Sequence, residues 1–337
     1  MLSKIPKLSH QELIKLAKDN CVPKLSNSLH KGQYGRLCVV GGCQEYTGAP
    51  YFAANAAALT GIDMVHIICE WRAATAIKSY SPNIMVHPYL RDSYTLSHNN
   101  SVPTESIRSL IDRIDVLVMG PGMGRDTNML STALDVLRYI VERHDGNKPV
   151  ILDADALFLF SHPDYSRTMT ELITQFKPGR VVLTPNLVEM RRTNQALQVR
   201  NASELAAKLH CTILEKGPSD TVYGAVGGIY VKNDTPGSPR RPGGQGDTLS
   251  GCVGALLASS CHIHDLNDAK ENVRHDEEDS SLAWPEVAVL SCYAGSTVTR
   301  TAAARAFRTI GRSMQATDVN SSVAPVISDL FDHPTAN

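Results

Sequence analysis

RLCVVGGCQEYTGAPYFAANAAALTGIDMVHIIC, residues 36–69, carries the pattern that decides the fold. RLCVVGG (36–42) is a short apolar run ending in glycines and reads as a buried strand. GAPYFAANAAALTG (48–61) reads as a small-residue helix, with Pro50 near its first turn, where a missing N–H costs nothing. DMVHIIC (63–69) reads as a second strand. Two buried strands joined by a helix form a parallel β-α-β unit.

The same alternation runs outward along the chain. IMVHP (84–88), IDVLVMG (114–120), PVILDAD (149–155), RVVLTPN (180–186) and CTILEKG (211–217) read as strands. Between them, 127–143 is a helix with Leu130, Leu134, Leu137 and Val141 on one stripe, and 202–209 is a second. This predicts an α/β fold of three layers, a mainly parallel sheet covered by helices on both faces. TVYGAVGGIYVKN (221–233) reads as a hairpin that adds antiparallel strands at one edge. A Pro/Gly/Arg-rich loop (234–246) and helices over 248–259, 285–308 and 317–331 complete the pattern. Ahead of the sheet, Ser9 and Glu12 form a capping box, and Leu8 and Leu13 a hydrophobic staple. That helix, with Leu13, Leu16 and Ala17 on one face, is expected to dock outside the sheet. The charged run 265–281 lacks apolar periodicity and reads as a solvated insertion. No repeat or linker divides the rest. The expectation is a lead-in over 1–35, one domain over 36–331 and a tail over 332–337.

Composition narrows the function classes. The 337 residues are 42% hydrophobic and 20% charged, which is globular usage. With 33 basic and 34 acidic side chains the formal charge is −1, so nothing electrostatic argues for nucleic acid or an anionic membrane as partner. The eight cysteines form no CxxC pair and mostly sit in apolar runs, so they read as reduced, packed thiols rather than disulfides or a zinc site. No stretch is apolar for long enough to span a membrane, and no secretory leader is visible. The expected compartment is the cytoplasm. Four early lysines would suit a mitochondrial leader, but Glu12 and Asp19 would not.

Ligands of open α/β sheets sit at the carboxyl ends of the strands. The loops there are GGCQEYTGAP, GPGMGRD, DADAL, TPNLVEM and EKGPSD, joined by the later GGQGDTLSG. Together they describe a rim built for a large phosphate-bearing ligand. The sharpest is Gly243 to Asp247, directly before an apolar helix. Its glycines and the helix N-terminus aim backbone amides at an anion, as in stabilising a phosphoryl group in transfer. Asp247 has two readings there: an N-cap, or a general base for an attacking hydroxyl. Lys216 to Asp220 reads as a plain turn or as a phosphate contact, and Arg240 and Arg241 as a solvated loop or as the wall of the same site. No P-loop, HExxH or G-x-S-x-G occurs, and the third glycine of GPGMG comes too early for a dinucleotide fingerprint. His262 and His264 read as solvated rather than metal-ligating.

The ordered set GGxxxYTGAP, GPGMGRD, LDADAL, LTPNLVEM, EKGPSD and GGQGDTLSG resembles the ATP-dependent NAD(P)H-hydrate dehydratases in their stand-alone eukaryotic form, members of the ribokinase-like superfamily. The resemblance spans roughly residues 30–331. It implies a ribokinase-like fold and a repair reaction, in which the S-forms of NADHX and NADPHX are dehydrated to NADH and NADPH at the expense of ATP. It implies that Asp247 is the base, and that the amides of Gly244, Gln245 and Gly246 form the anion hole. Gly122 and the run Asn186, Leu187, Val188, Glu189, Met190, Arg191 and Arg192 would contact the hydrated cofactor, with Tyr46 to Pro50, Ala49 included, on the same side. Lys216, Gly217, Pro218, Ser219 and Asp220, and Gly237, Ser238, Pro239, Arg240, Arg241, Pro242 and Gly243 to Gly246, would contact ATP. Mg2+ would accompany ATP, with no direct protein ligand assigned and Glu189 placed to organise it. With residues 1–35 too few for a fused epimerase, a separate NAD(P)HX epimerase is the expected pathway partner. Self-association is expected by analogy with the superfamily. Two other readings stay open: a ribokinase-like kinase for a vitamin-precursor alcohol, which would share Asp247, and a nucleotide-binding regulatory protein.

Overall fold

Alternation along each strand divides the molecule into two cores. In the computed structural model, which describes residues 5–25, 27, 30–98, 101–226, 228–265 and 282–332, the first strand is β1 (Arg36–Val40). Leu37 and Val39 face one core, and Cys38 and Val40 the other. The same division holds in β4 (Val116–Met119), β5 (Val150–Leu152) and β6 (Val181–Leu183). Strands apolar on both faces belong in a parallel sheet covered twice.

One nine-stranded sheet results, in the order β3-β2-β1-β4-β5-β6-β7-β8-β9. Its other members are β2 (Met64–Glu70), β3 (Met85–Leu90), β7 (Thr212–Glu215), β8 (Asp220–Tyr223) and β9 (Tyr230–Asn233). β1 to β7 pair in parallel, and β8 and β9 are the antiparallel hairpin expected at one edge. The chain order reverses between β1 and β4, and there the Gly42 amide donates to the Pro121 carbonyl at 3.0 Å. That reversal opens the crevice where such sheets bind ligands.

The first helix, α1 (His10–Cys21), has the expected box: Ser9 Oγ accepts from the Glu12 amide, and Glu12 returns to the Ser9 amide at 2.7 Å. Leu13 and Ala17 bury in the core that Leu37 and Val39 face. Next come α2 (Gly48–Thr60), α3 (Ala74–Tyr80), α4 (Ser93–Ser97), α5 (Thr104–Arg113), α6 (Thr127–His144), α7 (Asp155–Phe158), α8 (Ser166–Ile173), α9 (Leu187–Leu197) and α10 (Ala202–Leu209). The C-terminal part holds α11 (Gln245–Ser260) and α12 (Trp284–Ile310).

Three expectations are corrected. The helix expected over 317–331 is broken into α13 (Ala316–Ser321), α14 (Val323–Ile327) and a wide last turn, Ser328–Asp332. Pro325 lacks the N–H that an uninterrupted helix would need. Secondly, α11 begins at Gln245, not 248. Thirdly, His262 and His264 are part-buried and bonded, to Asp115 and to the Asn20 carbonyl, both at 2.9 Å. All eight cysteines are free and buried, as expected. Of the charged insertion, Asp265 is described: it receives two bonds from Arg180 at 2.9 and 2.7 Å and one from the Trp284 indole at 2.7 Å. Residues 266–281 and 333–337 lie outside the described residues. Among the described residues no helix is long and apolar enough to cross a membrane.

Candidate active site

Gly244 starts α11. Its φ of +100° is a left-handed conformation that suits a residue without Cβ, and an added Cβ would lie 2.6 Å from Ala316 and 2.8 Å from Phe52. The N-cap is therefore Gly244, and Asp247 is the third helical residue, so the N-cap reading of Asp247 fails. Among the described residues the Gly246 amide has no backbone acceptor, while the Gln245 amide leans on the Pro242 carbonyl at 3.3 Å. The open first-turn amide and the helix dipole make this end a site for negative charge.

Facing that turn is Lys216, at the end of β7. Its ammonium lies 2.8 Å from Asp153 Oδ1, and a Cβ built on Gly246 would be 3.4 Å from Nζ. Asp153 ends β5 and is buried. Asp247 feels both: burial and the Asp153 charge push its carboxyl up to about 7, against the opposing pull of Lys216. A carboxylate poised near neutrality can take a proton from a hydroxyl and later return it. Burial, opposed by Asp153, Glu189 and Asp247, leaves Lys216 held above its ordinary value and therefore charged.

A cleft of about 630 Å³ opens beside this cluster, lined by Asn186, Leu187, Val188, Lys216, Gly217, Pro218, Asp220, Arg241, Pro242, Gln245, Gly246, Leu249, Thr299 and Arg300. It unites residues expected to touch ATP with the start of the run expected to touch the hydrated cofactor. Asp220 shapes the turn rather than offering its carboxylate: it accepts from the Gly217 amide at 3.0 Å and from Ser296 at 2.7 Å, and pairs with Arg300. Arg241 reaches the Gly217 carbonyl at 3.2 Å, but Arg240 turns to the Met314 carbonyl at 2.8 Å. Ser219 bonds Asp234 at 2.5 Å and Ser238 bonds the Arg240 carbonyl. Gly237 lies against Arg300; Pro239 and Gly243 are exposed.

Asn186 caps α9, accepting from the Val188 and Glu189 amides at 2.9 and 3.0 Å, while Glu189 Oε2 accepts from the Asn186 amide at 2.8 Å. Burial holds the Glu189 carboxyl above its ordinary value, with Lys216 opposing. Met190 is buried in the core that Cys38 and Val40 face and Arg191 is exposed, so the seven-residue run does not act as one surface. Across the crevice, Gly122 has φ +58°, and a Cβ there would meet the Tyr46 carbonyl at 2.7 Å and Ala49 at 3.1 Å. The YTGAP and GPGMG loops thus touch.

Sequence reasoning assigned no role to Asp153, Asp155, Arg125 or Arg300. Asp155 Oδ2 accepts from the Gly124 amide at 2.9 Å, and its Oδ1 from Arg125 at 3.2 Å. Between the two acids Ala154 sits at φ +47°, a strained position of the kind that clusters at functional sites. The signal was present as paired acids at a strand end.

A family model described as NAD(P)H-hydrate dehydratase matches residues 37–324. A Saccharomyces cerevisiae protein named ATP-dependent (S)-NAD(P)H-hydrate dehydratase is 44% identical over 338 residues, covering 97% of this chain and 99% of its own. One of the same name from Emericella nidulans is 37% identical, covering 93% and 92%. Among solved structures, a ribokinase-like superfamily protein from Enterococcus faecalis superposes with TM-score 0.68 at 20% identity, covering 97% and 96%. The Bacillus subtilis ADP/ATP-dependent NAD(P)H-hydrate dehydratase, co-crystallized with ATP/Mg2+, superposes with TM-score 0.62 at 20% identity, covering 94% and 97%. At such identity the structural likenesses establish the ribokinase-like fold.

Proposed function

The chain belongs to the NAD(P)H-hydrate dehydratase family, and from that premise we propose that its cleft dehydrates the S-forms of NADHX and NADPHX with ATP. The observation that carries the reading is Asp247, poised near neutrality in the first turn of a glycine-led helix and facing Lys216. Hydroxide is a poor leaving group and phosphate a good one. Asp247 takes the proton of the ring hydroxyl as its oxygen attacks the γ-phosphorus of ATP, and ADP departs. The ring nitrogen lone pair then expels phosphate, and loss of the neighbouring ring C–H proton restores the double bond. Lys216, the Gly246 amide and the α11 dipole stabilise negative charge on the transferring group. Arg241 and the Lys216–Pro218 turn lie on the ATP side, and the Gly122–Ala49 contact on the cofactor side.

Mg2+ fits the residues present. An ion that arrives with ATP takes most of its ligands from phosphates and water, so a single nearby carboxylate suffices on the protein side. Glu189 Oε2 is committed to the Asn186 amide, leaving Oε1 to organise the ion's water. When bound, the ion would neutralise phosphate charge. A separate epimerase supplying the S-form, a cytoplasmic setting, a single domain over 36–331 and self-association complete the reading. The kinase alternative shares Asp247 but not the family.

The test is recovery of reduced-nicotinamide absorbance on mixing the protein with NADPHX or NADHX, ATP and Mg2+. No recovery with either substrate refutes the reading. Asp247→Asn should abolish turnover while ATP binding, followed by titration, is largely retained; near-normal turnover would show that another group is the base.

A further inference from the structure

Phe158, at the end of α7, holds two cations. The Arg125 guanidinium carbon lies 4.5 Å from its ring centroid and that of Arg192 5.2 Å. Arg125 is ion-paired with Asp155 through Nε alone, and Arg192 has no ion pair among the described residues. Arg125 gives its Nε to Asp155, whose other oxygen is taken by the Gly124 amide. Its two terminal nitrogens have no acceptor among the described residues, and the side chain is 53% exposed. Arg192 Nε and Nη2 are buried without a hydrogen-bond partner among the described residues. Buried unsatisfied donors are costly, and a charged one more so. Burial and the neighbouring Arg125 charge both hold Arg192 below its ordinary value. Two guanidiniums on one ring share the Asp155 carboxylate and keep unpaired donors, which leaves positive charge and hydrogen-bonding capacity for a further anion.

Position says which anion. Arg125 continues the GPGMG loop that touches Tyr46 and Ala49, Arg192 lies on α9 beyond Glu189, and neither lines the cleft that holds Lys216 and Arg241. Resting on the dehydratase reading, we infer that Arg125 acts with Arg192, on the Phe158 platform, to recognise a phosphate of the hydrated dinucleotide. The ring serves the guanidiniums, so the charge of the substrate rather than a stacked base is what this wall reads. A guanidinium fork suits phosphate geometry, and its loss is not made good by a point charge. A dinucleotide offers two sources: the pyrophosphate common to NADHX and NADPHX, and the 2′-phosphate of NADPHX alone.

Steady-state kinetics on wild type, Arg125→Ala and Arg125→Lys, with each substrate at saturating ATP, separate these. Arg125→Ala should raise KM about tenfold, with Arg125→Lys between it and wild type, while kcat and KM for ATP stay within about twofold. A rise for both substrates assigns the pyrophosphate; a rise for NADPHX alone assigns the 2′-phosphate. Added salt should raise the wild-type KM for the dinucleotide more than that of Arg125→Ala, which a merely structural arginine would not produce. Unchanged KM for both substrates with an active wild type, or a rise in KM for ATP instead, overturns the inference and leaves the dehydratase reading standing. A wild type inactive on both substrates overturns that reading and this inference with it.

Discussion

As the proposed base, Asp247 costs the folded molecule stability. Its carboxyl is raised from an ordinary 3.8 to about 7 by burial and by Asp153. Between those values the folded chain keeps a proton that the unfolded chain has released, so stability falls as pH rises through that window. Asp247→Asn removes the penalty. The variant should melt above wild type at pH 8, by an amount on the order of a few kcal/mol, and the gain should vanish near pH 4. Paired thermal melts across that range check it; an unchanged or lowered melting point at pH 8 would contradict the assignment. Activity runs the other way, since only the anion accepts a proton. Wild-type kcat/KM should fall about tenfold per unit below pH 7. Asp247 was legible because an acid after GGQG, before an apolar run, is a local signal. Its partner was not: Lys216 and Asp153 lie 63 positions apart, and only the adjacency of β5, β6 and β7 brings them together. Arg125 and Phe158 were invisible for the same reason.

At the scale of elements, what was legible followed from period and capping. Strands buried on both faces are unbroken apolar runs, and the Ser9–Glu12 box is a local hydrogen-bond pattern, so both survive translation into structure. The start of α11 did not, because it rests on the left-handed backbone of Gly244 rather than on apolar spacing. The helices α3, α4, α5, α7, α8 and α9 also escaped; α3, α4 and α7 have too few residues for a period to show. Interior glycines of α11 explain how its first turn is aimed. A Cβ on Gly251 would come 2.1 Å from the Ala53 carbonyl of α2, and one on Gly254 2.5 Å from Leu37. The helix presses its backbone against α2 and the sheet, and its first turn, the proposed catalytic one, inherits that position. Gly251→Ala should therefore cost about 1–3 kcal/mol of stability, measured by denaturant titration. It should also lower kcat by about a hundredfold at temperatures where the variant is folded, since a shift of roughly 1 Å suffices. A variant that loses stability but keeps kcat would show that the turn is positioned by its own loop.

For the whole molecule, the two cores bury apolar surface on both sides of the sheet, and the polar groups trapped near its edge set the conditions it tolerates. His66 of β2 and His87 of β3 share a ring-to-ring hydrogen bond at 3.0 Å, which requires one nitrogen to be an acceptor and hence unprotonated. Burial, His87, and the charges of Arg113 and Arg36 push His66 down to about 4. Burial, with Arg113 and Lys78, lowers His87 as well. Here the unfolded chain binds the extra proton, so stability is intact above about 6.5 and is lost as pH falls from there toward 4. The loss from His66 alone is on the order of 3 kcal/mol, a large part of the margin of an ordinary domain. Acid unfolding followed by circular dichroism should place the wild-type transition within that window. His66→Gln, which keeps hydrogen-bonding capacity without a titrating ring, should move the midpoint to lower pH even where it lowers stability at pH 8. A midpoint that stays in place would assign acid lability to the carboxylates instead.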